Sequence, residues 1–219
     1  MDFSTRSCIS FGWETFKKRA WFFVGANVVI ALIYVAASAL TSGIDALLGG
    51  SAKEPTFLGS LADFALTTLI GMGVTAFYLA AHDSPGTVDL TPLWHPRPFW
   101  KYIGASLLVG LTIVAGFILL IVPGIIFALM FMFTTFIVID RELGPLEAMK
   151  DSKDITRGHK WPLLGFICVL ALINLAGAIA LLVGLLVTVP VTSLAFVHAY
   201  RVLSARRGAQ PAITADAKL

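Results

Sequence analysis

Apolar side chains fill this chain in six long blocks, and short polar stretches separate them. The blocks run from Trp21 to Thr41, Phe57 to Ala81, Phe99 to Leu120, Val122 to Ile139, Trp161 to Leu181 and Val183 to Leu203. Each is close to the roughly 20 apolar residues that a helix needs to cross a bilayer. Three of the blocks open alike: Trp21-Phe-Phe-Val-Gly25, Trp100-Lys-Tyr-Ile-Gly104 and Trp161-Pro-Leu-Leu-Gly165. The copies meet again fifteen and sixteen residues past each Trp, at Ala36-Ala37, Ala115-Gly116 and Ala176-Gly177. Such self-similarity sets the architecture. It predicts an all-α membrane protein of one domain, 1–219, with six transmembrane helices paired into three hairpins of the same orientation. The repeats are expected at 1–82, 83–140 and 141–205, with a flexible tail at 206–219. Within each WxxxG unit the Trp and Gly share a helix face, so the Trp is expected at headgroup depth and the Gly where another helix approaches closely.

The connections carry a second pattern. Before the first block, Ile9, Trp13 and Phe16 form a stripe that ends at Lys17-Lys18-Arg19. Before the fifth, Pro145 suits the start of a helix and Gly158 its end, with Leu146, Met149 and Ile155 as the apolar positions. Both segments predict amphipathic helices lying in the membrane interface. The middle counterpart is broken by Pro85, Pro92, Pro96 and Pro98, which leaves Leu90, Leu93 and Trp94 to rest on that interface. Tight turns are expected around Val122-Pro123-Gly124 and at Leu181 to Gly184, and a larger loop at Ser42 to Thr56.

Composition agrees with this pattern: 58% of the residues are hydrophobic and 13% charged, against about a quarter charged in soluble domains. Charge then orients the chain. Arg6, Lys17, Lys18 and Arg19 precede the first block, Arg97 and Lys101 lie between the second and third, and Arg141, Lys150, Lys153, Arg157 and Lys160 between the fourth and fifth. Arg201, Arg206, Arg207 and Lys218 lie at the end of the last block or beyond it, which leaves Lys53 alone on the other side. The positive-inside rule therefore predicts both termini in the cytoplasm. The basic leader, first apolar run and Ala37-Ser38-Ala39 imitate a secretory signal, but the long amphipathic leader suits a retained helix better. Cys8 and Cys168 are not expected to pair.

Several motifs together carry a resemblance. Phe11-Gly-Trp-Glu-Thr-Phe-Lys-Lys, the Ile121-Val-Pro-Gly-Ile turn, Gly144-Pro-Leu-Glu-Ala-Met and Asp154-Ile-Thr-Arg-Gly-His-Lys-Trp161 resemble the bacterial YciC-like membrane proteins and the related membrane domain of glycerophosphoryl diester phosphodiesterases. The resemblance implies a six-helix protein of the bacterial inner membrane. It lends no hydrolase activity, since some members of that group carry a separate phosphodiesterase domain and this chain has none. It supplies no catalytic residues either.

Polar groups inside the blocks are the first place to seek function, because burying them in hydrocarbon is costly. Asn27 and Asn174 are expected to hydrogen-bond between helices, with a solute site as the alternative; Asp63 and His198 are expected near the two membrane surfaces, solvated or bonded to a helix. Asp140, Arg141 and Glu142 have the look of a solvated helix exit, and no chain of titratable partners is visible at the helix centres. His82, Asp83, Asp89 and His95 match no metal-ligand spacing, and the chain has no GxSxG, phosphate-binding glycine loop or HExxH. Neither an enzymatic activity nor a metal or other cofactor is expected, and nucleic acid is not an expected partner.

The leading expectation is engagement of anionic membrane lipids by a basic, Trp-rich cytoplasmic rim in support of envelope or lipid homeostasis. Lys17, Lys18, Arg19, Lys101, Arg157 and Lys160 would meet headgroups, with Trp21, Trp100 and Trp161 as depth anchors. The alternatives are a transporter or channel for a small or amphiphilic solute along a pseudo-threefold axis, and a scaffold or assembly subunit with a protein partner or a second copy of itself.

Overall fold

A computed structural model describes residues 3–50, 54–94, 98–180 and 184–209. Lys53, His95, Pro96, Arg97 and Lys218 lie outside the described residues, as do Leu181 to Val183 of the last expected turn and the side chain of Arg207. The described residues form helices joined by short connections: α1 (Thr5–Lys18), α2 (Ala20–Leu47), α3 (Phe57–Asp83), α4 (Phe99–Leu119), α5 (Ile121–Phe131), α6 (Thr134–Arg141), α7 (Pro145–Thr156), α8 (Lys160–Ile179) and α9 (Leu185–Ala209), with a 3-10 turn at Thr91–Trp94. Counting α5 and α6 as one broken span, 6 segments are long and apolar enough to cross a membrane, the makeup of a multi-pass membrane protein. Large apolar side chains cover the outside, as lipid permits. On α4, for example, Leu107, Leu111, Val114 and Ile118 are all exposed.

Several boundaries differ from expectation. Helix α2 continues six residues past Thr41 to Leu47, which shortens the loop expected from Ser42. The extension is held by Asp45, whose buried carboxylate accepts the Thr56 N–H at 2.7 Å and so ties the end of α2 to the cap of α3. The turn between the third and fourth spans falls at Leu120, the one extended residue between α4 and α5, while Pro123 and Gly124 lie within the first turn of α5. Proline fits there because a first-turn N–H has no intrahelical acceptor. Helix α9 runs to Ala209, past the point where a tail was expected, and it contains Pro190.

The fourth span is broken at Met132–Phe133, between α5 and α6, and α7 repairs the break. Ser152 donates to the Met130 carbonyl at 2.8 Å and accepts the Phe133 N–H at 3.3 Å. Main-chain groups freed in a membrane helix need partners of this kind.

Both amphipathic helices bury only part of their expected apolar stripe. α1 buries Cys8, Gly12, Thr15 and Phe16 and leaves Trp13 45% exposed. α7 buries Ala148, Ser152, Ile155 and Thr156 and leaves Leu146 71% exposed. Of the expected stripes Ile9-Trp13-Phe16 and Leu146-Met149-Ile155, only Phe16 and Ile155 are buried, because both helices dock on the bundle largely through small and polar residues. α1 packs most extensively on α9, where a Cβ on Gly12 would strike the Val191 carbonyl and lie 3.0 Å from the Ala195 nitrogen. Counted back from Trp21 and Trp161, the buried positions of the two helices fall at the same offsets: 13, 9, 6 and 5 residues.

Of the glycines of the WxxxG units, Gly104 alone has another helix close by, and Gly25 and Gly165 do not. A Cβ on Gly25 or Gly165 would meet nothing within 4 Å, and one on Gly104 would meet only Pro145, at 3.1 Å. Closer approach occurs sixteen residues past the tryptophans. A Cβ on Gly116 would lie 2.9 Å from the Gly124 Cα, and one on Gly177 would strike the Thr188 hydroxyl and lie 3.1 Å from the Gly184 carbonyl carbon.

Candidate functional site

Helices α2, α4 and α8 begin where α3, α6 and α9 finish, so one end of the bundle gathers the tryptophans and most basic residues. Trp21, Trp100 and Trp161 are 90%, 81% and 82% exposed. The basic residues beside them divide into two groups. Lys17, Lys18 and Arg157 are exposed and Lys160 is half-buried, with the Lys17 ammonium 5.8 Å from the centre of the Trp13 ring. Arg19 and Lys101, by contrast, hold main-chain carbonyls. Arg19 donates to Val88 O at 2.7 Å and lies over the Phe22 ring at 4.1 Å; Lys101 donates to Glu142 O at 2.7 Å, where α6 ends in a left-handed residue. These two brace the connections and have less to offer a headgroup.

The same end holds a polar chain that the sequence pattern conceals. Asp83 Oδ1 lies 3.0 Å from His82 Nδ1, and His82 Nε2 lies 3.1 Å from His198 Nδ1. Phe11 of α1 stacks on His198 with ring centres 4.1 Å apart. Arg201 Nη2 is 2.5 Å from Asp83 Oδ2 and its Nη1 is 2.8 Å from Asp140 Oδ2, which also accepts from the Tyr200 hydroxyl at 2.7 Å. Asp140 is therefore no solvated helix exit: Arg201 clasps α3, α6 and α9 together, and charge-assisted bonds of this kind are the strong ones. Arg141 pairs with Asp151 of α7 at 2.9 Å. A cleft of about 440 Å³ adjoins the clasp, lined by Ala80, Asp83, Pro92, Asp140 and Arg201 among others. The one local sign of the clasp is the run His198, Tyr200, Arg201 inside an otherwise apolar span.

Deeper in the bundle, the asparagines join helices. Asn27 accepts from Tyr78 at 3.0 Å across α2 and α3, and donates to Phe23 O at 2.8 Å. Asn174 donates to the Thr192 hydroxyl at 3.1 Å across α8 and α9, and Thr192 in turn donates to Thr188 O at 2.9 Å. Tyr78, Asn174, Thr192 and Ser193 line a cavity of about 290 Å³ between α3, α6, α8 and α9, with Phe136 and Phe196 among its apolar walls. Phe133, Phe136, Phe196 and Tyr200 pack ring against ring, at 5.3 to 6.0 Å, between this cavity and the Arg201 clasp. Tyr78 is not singled out by the sequence, since a lone Tyr in an apolar helix carries no signal of its own. At the opposite end, Asp63 accepts from Thr41 at 3.0 Å.

The chain is similar to uncharacterised proteins of Mycobacterium tuberculosis and Mycobacterium bovis, at 28% identity over 230 aligned positions that span 92% of this chain and 69% of each relative. No family model matches the chain, and no solved structure matches it.

Proposed function

We propose that this is a non-enzymatic inner-membrane protein that engages anionic lipids at its tryptophan end and so supports envelope or lipid homeostasis. The observation that carries the reading is the exposure of Trp21, Trp100 and Trp161, at 90%, 81% and 82%, each at the start of a membrane-length apolar helix. Indole rings prefer headgroup depth, and Lys17, Lys18, Arg157 and Lys160 lie beside two of the three. In this reading the tryptophan end and both termini are cytoplasmic, as the distribution of Lys and Arg favours. The three hairpins are repeats of one orientation, which the matching buried offsets before Trp21 and Trp161 support. The resemblance of the motifs at Phe11–Lys18 and Gly144–Trp161 to the YciC-like membrane proteins supports this reading.

The test is native mass spectrometry of the protein from vesicles of phosphatidylglycerol and phosphatidylethanolamine, beside the variant Lys17→Gln/Lys18→Gln/Arg157→Gln/Lys160→Gln. A juxtamembrane charge is worth about 1 kcal/mol of attraction to anionic lipid, so retention of phosphatidylglycerol should fall about tenfold or more. Equal retention by a folded variant overturns the reading.

A second reading, passage of a small solute through the bundle, is favoured by one observation: the polar cavity lined by Tyr78, Asn174, Thr192 and Ser193. Flux into proteoliposomes that is lost on filling that cavity is its test.

A further inference from the structure

We infer that the cavity between α3, α6, α8 and α9 is a binding site for a small uncharged molecule that both donates and accepts hydrogen bonds and carries an apolar part. The inference goes beyond lipid engagement and stands without it; transport, if it occurs, would use this site.

The walls define the ligand. None of the residues lining the cavity is charged; its polar members include Thr75, Tyr78 and Asn174. An ion placed among them without a counter-charge would bear the full cost of desolvation. The nearest charges along the same helices, Asp140 and Arg201, lie one turn beyond Phe136 and Val197, are already paired with each other at 2.8 Å, and are walled off by the ring cluster of Phe136, Phe196 and Tyr200.

Polar capacity is nevertheless present on two sides, from α8 and α3. Asn174 spends one N–H on Thr192, and the rest of its amide is both donor and acceptor. The Tyr78 hydroxyl gives its proton to Asn27 and, with Ser193 also beside it, keeps a lone pair. Thr75 gives its proton to Gly71 O at 2.8 Å, and its oxygen is shared with the neighbouring Tyr102 hydroxyl. The apolar walls are Leu170, one turn before Asn174 on α8, with Phe136 of α6 and Phe196 of α9. A few placed polar groups in a largely apolar hollow are the usual makeup of a small-molecule site. A volume of about 290 Å³ would hold on the order of ten waters at about 30 Å³ each, which is room for a substituted single ring and too little for a lipid.

Benzamide, with its charged counterparts benzamidine and benzoate, probes these requirements, because the three share shape and differ in charge. Binding is read by saturation-transfer NMR on the full chain in detergent micelles, where partition into the micelle gives a non-saturable background. The expected result is saturable binding of benzamide about tenfold or more tighter than of either ion. Binding should weaken by about tenfold or more in Asn174→Leu and be lost in Phe136→Trp, which fills the cavity without removing a hydrogen bond; if Asn174→Leu does not fold, Phe136→Trp decides. Overturning results are no saturable binding of any of the three, equal binding of the ions, or undiminished binding in a folded Phe136→Trp. A separate flux assay keeps the readings apart: binding without flux removes transport and leaves the site.

Discussion

Ser152 stands in for a missing helical turn: its hydroxyl donates to the carbonyl of Met130, 2.8 Å away on the far side of a break in the fourth span. The same oxygen accepts the Phe133 N–H at 3.3 Å, so one side chain serves both lips of the break. Replacing Ser152 with Ala should cost about 1–3 kcal/mol, the penalty for a buried polar group left without its partner. Thr156, 3.4 Å from the same carbonyl, relieves part of it. Thermal unfolding in detergent measures the loss, and an unchanged midpoint would refute this role for Ser152.

The glycines should separate by position. Gly25→Ala and Gly165→Ala meet open space and should be neutral, or stabilising by about 0.5–1 kcal/mol from helix propensity alone. Gly116→Ala and Gly177→Ala place a methyl against the facing helix and should destabilise by about 1–3 kcal/mol, the usual cost of overpacking. Unfolding midpoints for the four variants give the answer, and a reversed order would contradict the close approach at Gly116 and Gly177.

Cys8 reports on the docking of α1. It is 1% exposed, and burial pushes its thiol up to about 11. In a Cys168→Ser background, maleimide should label it slowly at neutral pH, at a rate that climbs about tenfold per pH unit toward pH 11 as thiolate forms. Because the folded state raises this group above its ordinary 9.0, the stability it lends is complete below pH 9 and is lost as the pH rises through about 11. Gly12→Leu, which thrusts a side chain into α9, should expose Cys8 and speed its labelling at neutral pH by about tenfold or more. Labelling at the native rate would mean that α1 is not held through Gly12.

The Arg201 clasp should fail unequally. Asp83 is 49% exposed and Asp140 17%, so Asp83→Asn loses a pair that solvent already screens. Arg201→Gln strands the more buried Asp140 as well, and should cost about 1–3 kcal/mol after allowance for screening. If the two variants unfold together at the native midpoint, the clasp contributes nothing to stability.

Six spans and their approximate ends are legible in the chain because hydropathy is a local property, as are the start of α7 at Pro145 and the left-handed Gly158 after it. The break at Met132–Phe133 is not, since both residues are apolar and the group that permits it lies on another helix. The docking faces of α1 and α7 mislead for a different reason. In water the large apolar stripe marks the buried face, but beside lipid Trp13 and Leu146 are at ease outside, while Gly12 and Ser152 gain more from a neighbouring helix. The polar chain at the tryptophan end joins residues 60, 116 and 118 positions apart, and no local spacing announces such pairs.

The preference of α1 for α9 also has a meaning in time. The chain is made from its amino end, so α1 finds its main partner only when α9 has been built much later, and Arg201 arrives equally late to a clasp whose acidic halves have long been waiting. Until then the early hairpins are unfinished, open to whatever surveys half-made proteins at the membrane. A chain that loses α9 would forfeit the docking of α1 and the Arg201 clasp along with one span.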